Sequence, residues 1–330
     1  MNVKIRKYKK GYEKEIIKLW HDISVNLLEN NDIYEINKEW WKWRVLENPG
    51  GFPEIYVAIN ENKEIVAHHM AEKFSLNSKE GKRRIYQGIL SMARDKYKGL
   101  IMLKLVNDVI KETKAEGSLA YGFPNKDSEY LFWKFGWKKI GEIPVLGRPL
   151  NPLFRIFDLG NNYKSYEVKK IEKFDKKIDV FTESIKNMFR YSMSRDYKFL
   201  NWRYATNNIK YYEKRLLVRD KKISGYCIFR CCKFNNIKNG IILDIFSEDS
   251  EGFNTLLNEI IRYFLNKKMK FVSCYMINNS FFYKTLLKRG FIPLPKFLLP
   301  KKNAFVLLNG TEEMYNLKNW YVSYGDWDCV

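Results

Sequence analysis

Residues Tyr121 to Trp137 read YGFPNKDSEYLFWKFGW. A short apolar strand, Ser118 to Gly122, leads into a polar loop with Asn125 and Ser128, and the helix that follows ends in glycine plus an aromatic, KFGW. The second half carries a counterpart: a strand over Lys270 to Met276, then Asn279, then a helix ending KRGF at Lys288 to Phe291. A pattern that returns once in a chain of this size points to a duplicated unit.

The copies extend upstream. EWWKWRVLENPGG (Glu39 to Gly51) and KFLNWRYATNN (Lys198 to Asn208) both carry Trp-Arg, at Trp43-Arg44 and Trp202-Arg203. Each is followed by two β-rich runs around a polar turn, Glu54 to Ala71 and Lys214 to Phe229, which predict hairpins. A further β-rich run comes next, Ile85 to Met92 and Gly240 to Phe246. An amphipathic helix then places Met102, Leu105, Val106, Val109 and Ile110 on one stripe, or Phe253, Leu256, Leu257, Ile260, Ile261, Phe264 and Leu265 on the other. The sequence thus predicts domains over 1–155 and 156–330, joined where Pro149 and Pro152 interrupt the periodicity. The tail from Thr311 is extra, and its Trp320, Tyr321, Tyr324 and Trp327 predict docking.

Composition agrees with two folded domains. The 330 residues are 45% hydrophobic, too many for one ordinary core and too apolar for disorder. The start has charges scattered through it, and no run approaches the roughly 18 uncharged residues of a spanning helix, so the reading is neither secreted nor membrane-embedded. Five cysteines lacking C-x-x-C spacing argue against a disulfide framework or a metal site and for a reducing compartment, the cytoplasm. The formal net charge of +21 suits an acidic partner: nucleic acid, an anionic membrane or a phosphorylated ligand. It suits equally a chain whose lysines are spread throughout.

The order helix, strand meander, helix, strand, helix, final strands, together with the Tyr121 to Trp137 segment, resembles the GNAT superfamily of acyl-CoA-dependent N-acyltransferases. The resemblance covers nearly all of the first half and, more weakly, the second, with Asn279 and Gly290-Phe291 as anchors. It implies an α/β (α+β) fold of two tandem GNAT-like units, each a mixed, mainly antiparallel sheet flanked by helices. The pantetheine arm would lie between the parting strands Ile85 to Ala93 and Ser118 to Gly122, with main-chain groups near Ser91, Met92 and Ala93 polarising the thioester. Asn125 and Phe132 fall on further positions of the cofactor site. The turn at the next helix would face the diphosphate, where backbone N–H groups and the helix dipole favour negative charge. Here that turn is Tyr97, Lys98, Gly99, Leu100, Ile101 and Met102, and it departs from the family's glycine-rich pattern by keeping a single glycine.

Transfer needs a neutral amine and a proton for the departing thiolate. The candidate bases are Glu72 and His68, with His69 beside it, and Asp326 and Asp328 in the tail; a packed histidine and a solvated terminus are the structural alternatives. Phe132 stands where the family commonly places a tyrosine that protonates the thiolate, and it has no proton to give. The second unit has acids at Asp244, Glu248, Asp249 and Glu251 where a polyphosphate would sit, so it reads as a degenerate copy. The leading expectation is an N-acyltransferase, with acetyl-CoA or another acyl-CoA as donor, no metal, and a small-molecule primary amine as acceptor. An aminosugar is the guess for that acceptor, and nucleic acid is not expected as a partner. Two other readings stand beside it: a catalytically silent GNAT-like binding protein, and an aminoacyl-tRNA-dependent transferase.

Overall fold

The computed structural model describes residues 2–28, 35–115, 119–124, 128–158, 165–207, 209–234, 237–295, 297, 299 and 304–327. The first half runs β1 (Lys4–Lys7), α1 (Glu13–Leu28), α2 (Lys38–Trp41) continuing as a π-helical turn over Lys42–Leu46, β2 (Glu54–Ile59), β3 (Ile65–Ser78), β4 (Gly81–Ala93), α3 (Leu100–Ala115), β5 (Leu119–Gly122), α4 (Glu129–Lys134) and β6 (Lys138–Glu142). β7 (Val145–Pro149) closes the first half, and the second runs β8 (Glu167–Lys170), α5 (Ile178–Ser184), β9 (Tyr191–Met193), α6 (Tyr197–Tyr204), β10 (Glu213–Arg219), β11 (Lys222–Phe234), β12 (Ile237–Ser247), α7 (Ser250–Asn266), β13 (Phe271–Tyr275), α8 (Phe281–Lys288), β14 (Ile292–Pro293), β15 (Ala304–Leu308) and β16 (Trp320–Tyr321).

Two compact units result, and neither is one continuous stretch of chain. The first gathers Met1–Leu76, Lys82–Gly141 and Ala304–Tyr315; the second gathers Asn77–Gly81, Glu142–Asn303 and Asn316–Val330. Their sheets follow one plan, β1-β2-β3-β4-β5-β15-β6 and β8-β10-β11-β12-β13-β7-β14. In each, the place beside the short central strand is filled by a strand from the opposite half of the sequence. β15 lies antiparallel to β5, with Val306 opposite Gly122, and β7 lies antiparallel to β13, with Ser273 opposite Gly147. The join expected at 155/156 therefore differs from the observed division. The prolines that suggested a break, Pro149 and Pro152, close a strand of the second sheet and open a 3-10 turn over Pro152–Asp158.

The repeated motifs have repeated physical causes. Gly136 and Gly290 both adopt positive φ, at 77° and 75°. In the first copy Trp137 N–H donates to the Phe132 carbonyl at 3.1 Å and Gly136 N–H to the Trp133 carbonyl at 3.1 Å. In the second, Phe291 N–H donates to Leu286 and Gly290 N–H to Leu287, both at 3.0 Å. These are the paired bonds of a glycine-terminated helix, and the aromatic behind the glycine folds onto the last turn, as Trp137 does on Phe132 with ring centroids 4.8 Å apart. The two Trp-Arg pairs sit on matching short helices, capped by Asn37 and Asp196 side chains that accept backbone N–H bonds from Trp40 and Phe199. All four residues of those pairs are buried.

The cores follow the helical stripes. Met102, Leu105, Val109 and Ile110 of α3 are buried against the first sheet with Ala71, Tyr86, Ala93 and Ala120. In the second unit Phe253, Leu256, Leu257, Ile260, Ile261 and Phe264 of α7 are all buried. Each such side chain contributes about 1.5–3 kcal/mol when removed from water, so α7 alone anchors its sheet strongly.

Candidate active site

In the first unit β4 and β5 run parallel, and their ladder spans Ile85/Leu119, Tyr86/Ala120 and Gln87/Tyr121. The buried Tyr121 hydroxyl donates to Gln87 Oε1 at 3.2 Å at the last rung. β5 ends one residue later at Gly122, whereas β4 continues to Ala93. The strands part beyond Gln87, and three residues on Leu90 has φ +50°, a left-handed backbone that costs a non-glycine residue about 1–2 kcal/mol and breaks the regular pleat. Ser91, Met92 and Ala93 form the free end of β4, with Ser91 exposed and the other two buried.

β4 leads into a 3-10 turn over Asp95–Tyr97, then Gly99, then α3. Gly99 has φ +80° and open space where a Cβ would stand, so the backbone at the helix tip is accessible. Leu100 is 64% exposed and does not fold over the tip, while Tyr97 turns inward beside Met102 and Leu105. Ile101 is partly buried against the same cluster. The Lys98 ammonium pairs with Asp95 at 2.7 Å, which pulls the Asp95 carboxyl below its ordinary range. Lys96 lies over the Tyr97 ring, 5.0 Å from its centroid. Beside the turn is an open depression of about 430 Å³ lined by Asn60, Glu64, Val66 and Arg94–Tyr97.

The expected bases have other surroundings. His68 is fully buried, and its Nδ1 donates to the Leu90 carbonyl at 2.9 Å, which assigns the proton to that nitrogen and leaves Nε2 buried without a hydrogen-bond partner. Burial pushes its pKa down to about 4. Glu72, also fully buried, receives both Nε and Nη2 of Arg44, the second at 2.7 Å. The pair ties the π-helical turn to β3, and breaking such a buried pair costs about 3–5 kcal/mol. Asp326 belongs to the second unit, where it closes a capping box with Ser323 and accepts from Arg195 at 2.8 Å. Asn125 and Asp328 lie outside the described residues. Phe132, on α4, packs on Trp137 and on the backbone at Gly122. The structure thus gathers Ser91, Met92, Ala93 and the Tyr97–Met102 turn at one end of β4, and does not bring Glu72, His68 or Asp326 to open surface there.

A contact that sequence reading underweighted is His69 with Ser91. His69 is 6% exposed, and its Nδ1 lies 2.7 Å from the exposed Ser91 hydroxyl. Burial, with the adjacent His68 adding to it, pushes its pKa down to about 3. Strand alternation alone cannot reveal this contact, because the irregularity at Leu90 resets which face of β4 each later residue presents.

The second unit begins in the same way and ends differently. β12 and β13 pair from Asn239/Phe271 to Ile242/Cys274. Past the last rung, the tail engages both strands. Tyr321 Oη donates to Asp244 Oδ1 at 2.8 Å and to the Ile245 carbonyl at 3.2 Å, and the Tyr324 ring stacks on Tyr275 with centroids 3.9 Å apart. Arg195 joins the layers, donating to Asp244 at 2.6 Å and to Asp326. Burial opposes its charge, but the two carboxylates outweigh that and hold the guanidinium well above its ordinary pKa; burial pushes Asp244 upward. At the tip of α7, Asp249 accepts from Gly252 N–H at 2.8 Å, so the chain's own carboxylate occupies the helix terminus.

Among the described residues no group of three or more His, Cys, Asp or Glu is placed to hold a metal ion, and no helix is long and apolar enough to cross a membrane. Cys227, Cys231, Cys232 and Cys274 are free thiols, Cys227 and Cys274 being buried.

The sequence matches no protein-family model and no curated protein. Solved structures do match over 93% of this chain. A GCN5-related N-acetyltransferase from Anabaena variabilis aligns with TM-score 0.68 and 12% identity over 72% of its own length. A probable N-acyltransferase of unknown function from Enterococcus faecalis aligns with TM-score 0.67 and 12% identity over 72% of its length. The Saccharomyces cerevisiae N-myristoyltransferase with bound myristoyl-CoA aligns with TM-score 0.59 and 12% identity over 82% of its length. With two sheets of matching strand order and glycine-terminated helices after the short central strands, the chain has the mixed α/β fold of these acyltransferase structures.

Proposed function

We propose that the first unit is an acyl-CoA-dependent N-acyltransferase and that the second supports it without binding cofactor. The observation that carries this reading is the parting of β4 from β5 beyond Gln87, next to an unobstructed helix tip at Gly99. An extended pantetheine arm can bond to the free edge of β4 around Ser91, Met92 and Ala93 as an added strand would. The diphosphate then meets Tyr97 to Met102 at the start of α3, where the helix dipole, the backbone of the first turn and the Lys96 and Lys98 ammonium groups favour it. Phe132 lines the other side of the opening as an apolar wall.

The donor in this reading is an acyl-CoA, with acetyl-CoA the first to try, and the acceptor a primary amine, with an aminosugar the first class to test. The free cysteines suit a reducing compartment, the cytoplasm. Glu72, His68 and Asp326 are given no proton transfer, since each is buried and committed to its own surroundings. A second reading, a silent binding protein, is favoured by Phe132, which cannot protonate a thiolate. Calorimetric titration with CoA and acetyl-CoA, followed by thiol release over a panel of amines, separates them. Binding with amine-dependent thiol release supports the transferase, binding without release supports the silent protein, and absence of binding rejects both.

A further inference from the structure

Thioester aminolysis has a proton problem. When the amine nitrogen bonds to the carbonyl carbon it becomes a cation that must lose a proton, and when the carbon–sulfur bond breaks the thiolate gains from receiving one. On β4 one group has the chemistry to do both. Ser91 is the exposed hydroxyl on the strand end where the ladder to β5 has finished, immediately after the left-handed residue Leu90. Behind it stands His69, whose Nδ1 lies 2.7 Å from Ser91 Oγ.

A hydroxyl has one donor and two acceptor positions. His69 is buried and neutral, so it carries one N–H. With that proton on Nδ1, His69 donates to Oγ, fixes the hydroxyl's orientation, and leaves it one lone pair to accept a proton and one O–H to give. We propose that Ser91, oriented by His69, is the proton relay of the transfer reaction, passing a proton from the attacking amine to the departing sulfur. The inference rests on the acyltransferase reading of the first unit. In the step itself a carbon–nitrogen bond forms and the carbon–sulfur bond breaks. The proton from nitrogen goes to Ser91 Oγ while the Ser91 hydroxyl proton goes to sulfur; the serine ends as it began and CoA leaves as the free thiol. His69 touches neither reactant and is a positioning residue.

The burial of His69, which disfavours its cation, weighs against the alternative use of such a pair. A histidine that resists protonation is a poor acceptor for a serine proton, so Ser91 is not set up as a nucleophile that would carry the acyl group itself.

The test compares wild type, Ser91→Ala, Ser91→Thr and His69→Asn by amine-dependent thiol release, with melting temperature and CoA affinity as controls on folding. Ser91→Ala is expected to lower kcat about 10²-fold with KM for acyl-CoA nearly unchanged, the usual scale for losing a proton-transfer group. Ser91→Thr, which keeps a hydroxyl, is expected to recover most of the rate. Repeating the assay with an acetyl thioester of a more acidic aromatic thiol gives a readout that mere damage to the fold would not move. Acidic thiols leave readily unprotonated, so the Ser91→Ala deficit should shrink with that donor. His69→Asn, whose amide can still donate, should fall between wild type and Ser91→Ala. Wild-type turnover with Ser91→Ala within twofold of it, a deficit independent of thiol acidity, or an acyl ester on Ser91 seen by mass spectrometry would each overturn the relay alone. Failure of the wild type itself to release thiol with any amine would remove the acyltransferase reading, and the relay with it.

Discussion

The two openings of this molecule start from the same plan and diverge after the last rung of the ladder. Past Gln87 the first sheet offers a left-handed residue, an exposed serine and an accessible helix tip. Past Ile242 the second sheet meets residues 320–327 of its own chain, held by Arg195 between two carboxylates, and its helix tip is capped by Asp249. Parting strands are therefore a property of the fold, whereas an accessible gap is a property of what else the chain places there. The second unit keeps the short parallel ladder and fills the space beyond it with its own tail.

The largest effect that bears on this contrast concerns the filled opening. Arg195→Leu leaves Asp244 and Asp326 buried in the second unit without the guanidinium that compensates them, and removing one partner of such a cluster costs about 3–5 kcal/mol. Urea unfolding followed by circular dichroism should show that loss. Retention of the wild-type midpoint would mean that the tail is held by its aromatic contacts alone.

Next in size is the acid sensitivity that two buried histidines give the first unit. His68 and His69 are neutral when folded, with pKa values of about 4 and about 3, whereas an unfolded histidine titrates near 6.5. Both folded values are depressed, so below pH 6.5 the unfolded chain takes up protons that the folded unit does not, and stability falls with pH until about pH 3–4. At pH 5 each histidine should account for about 2 kcal/mol. The third histidine, His21, also lies in the first unit and shows no such burial. His69→Gln is expected to flatten the decline between pH 6.5 and 4.5 by about that amount, measured as denaturant midpoints across the range. An unchanged slope would show that the imidazole charges without penalty.

Much of this molecule was legible in the sequence, and the part that was not has a physical explanation. Repeated Trp-Arg pairs, hairpins and Gly-aromatic helix ends depend on local chemistry, and each recurs in the structure as the repeat predicted. Helix stripes identified the cores for the same reason. The exchange of β7 and β15 between sheets was hidden, because a strand's composition says that it is buried and nothing about which neighbour it finds across the chain. The roles expected for Glu72 and Asp326 depended on their being unpaired, and their partners, Arg44 and Arg195, are 28 and 131 residues away. The His69–Ser91 contact depends on the irregular backbone at Leu90, which no residue type there announces.

A smaller effect would make the open site resemble the closed one. Lys98 is exposed and pairs with Asp95, whereas the corresponding turn of the second unit carries Glu248, Asp249 and Glu251. Lys98→Glu should weaken CoA binding about tenfold, or about 1.4 kcal/mol, and salt should narrow the difference because the site is solvated. Titration calorimetry at two ionic strengths checks it, and equal affinities at low salt would move the diphosphate away from this turn.

The smallest effect tests whether the two helix ends are equivalent. Gly136 and Gly290 share a left-handed backbone, so alanine at either position carries the same conformational penalty of about 1 kcal/mol. Their surroundings differ. A Cβ at Gly136 meets nothing within 4 Å, whereas one at Gly290 would come within 2.7 Å of the Phe157 ring. Gly136→Ala should therefore lose about 1 kcal/mol and no more, and Gly290→Ala should lose that amount plus whatever displacing Phe157 requires. Pairing Gly290→Ala with Phe157→Ala gives the means of separating the two contributions, since the double variant removes the clash and keeps the backbone penalty. If the two single glycine variants melt together, Phe157, which is 40% exposed, simply swings into solvent and the helix ends are energetically alike.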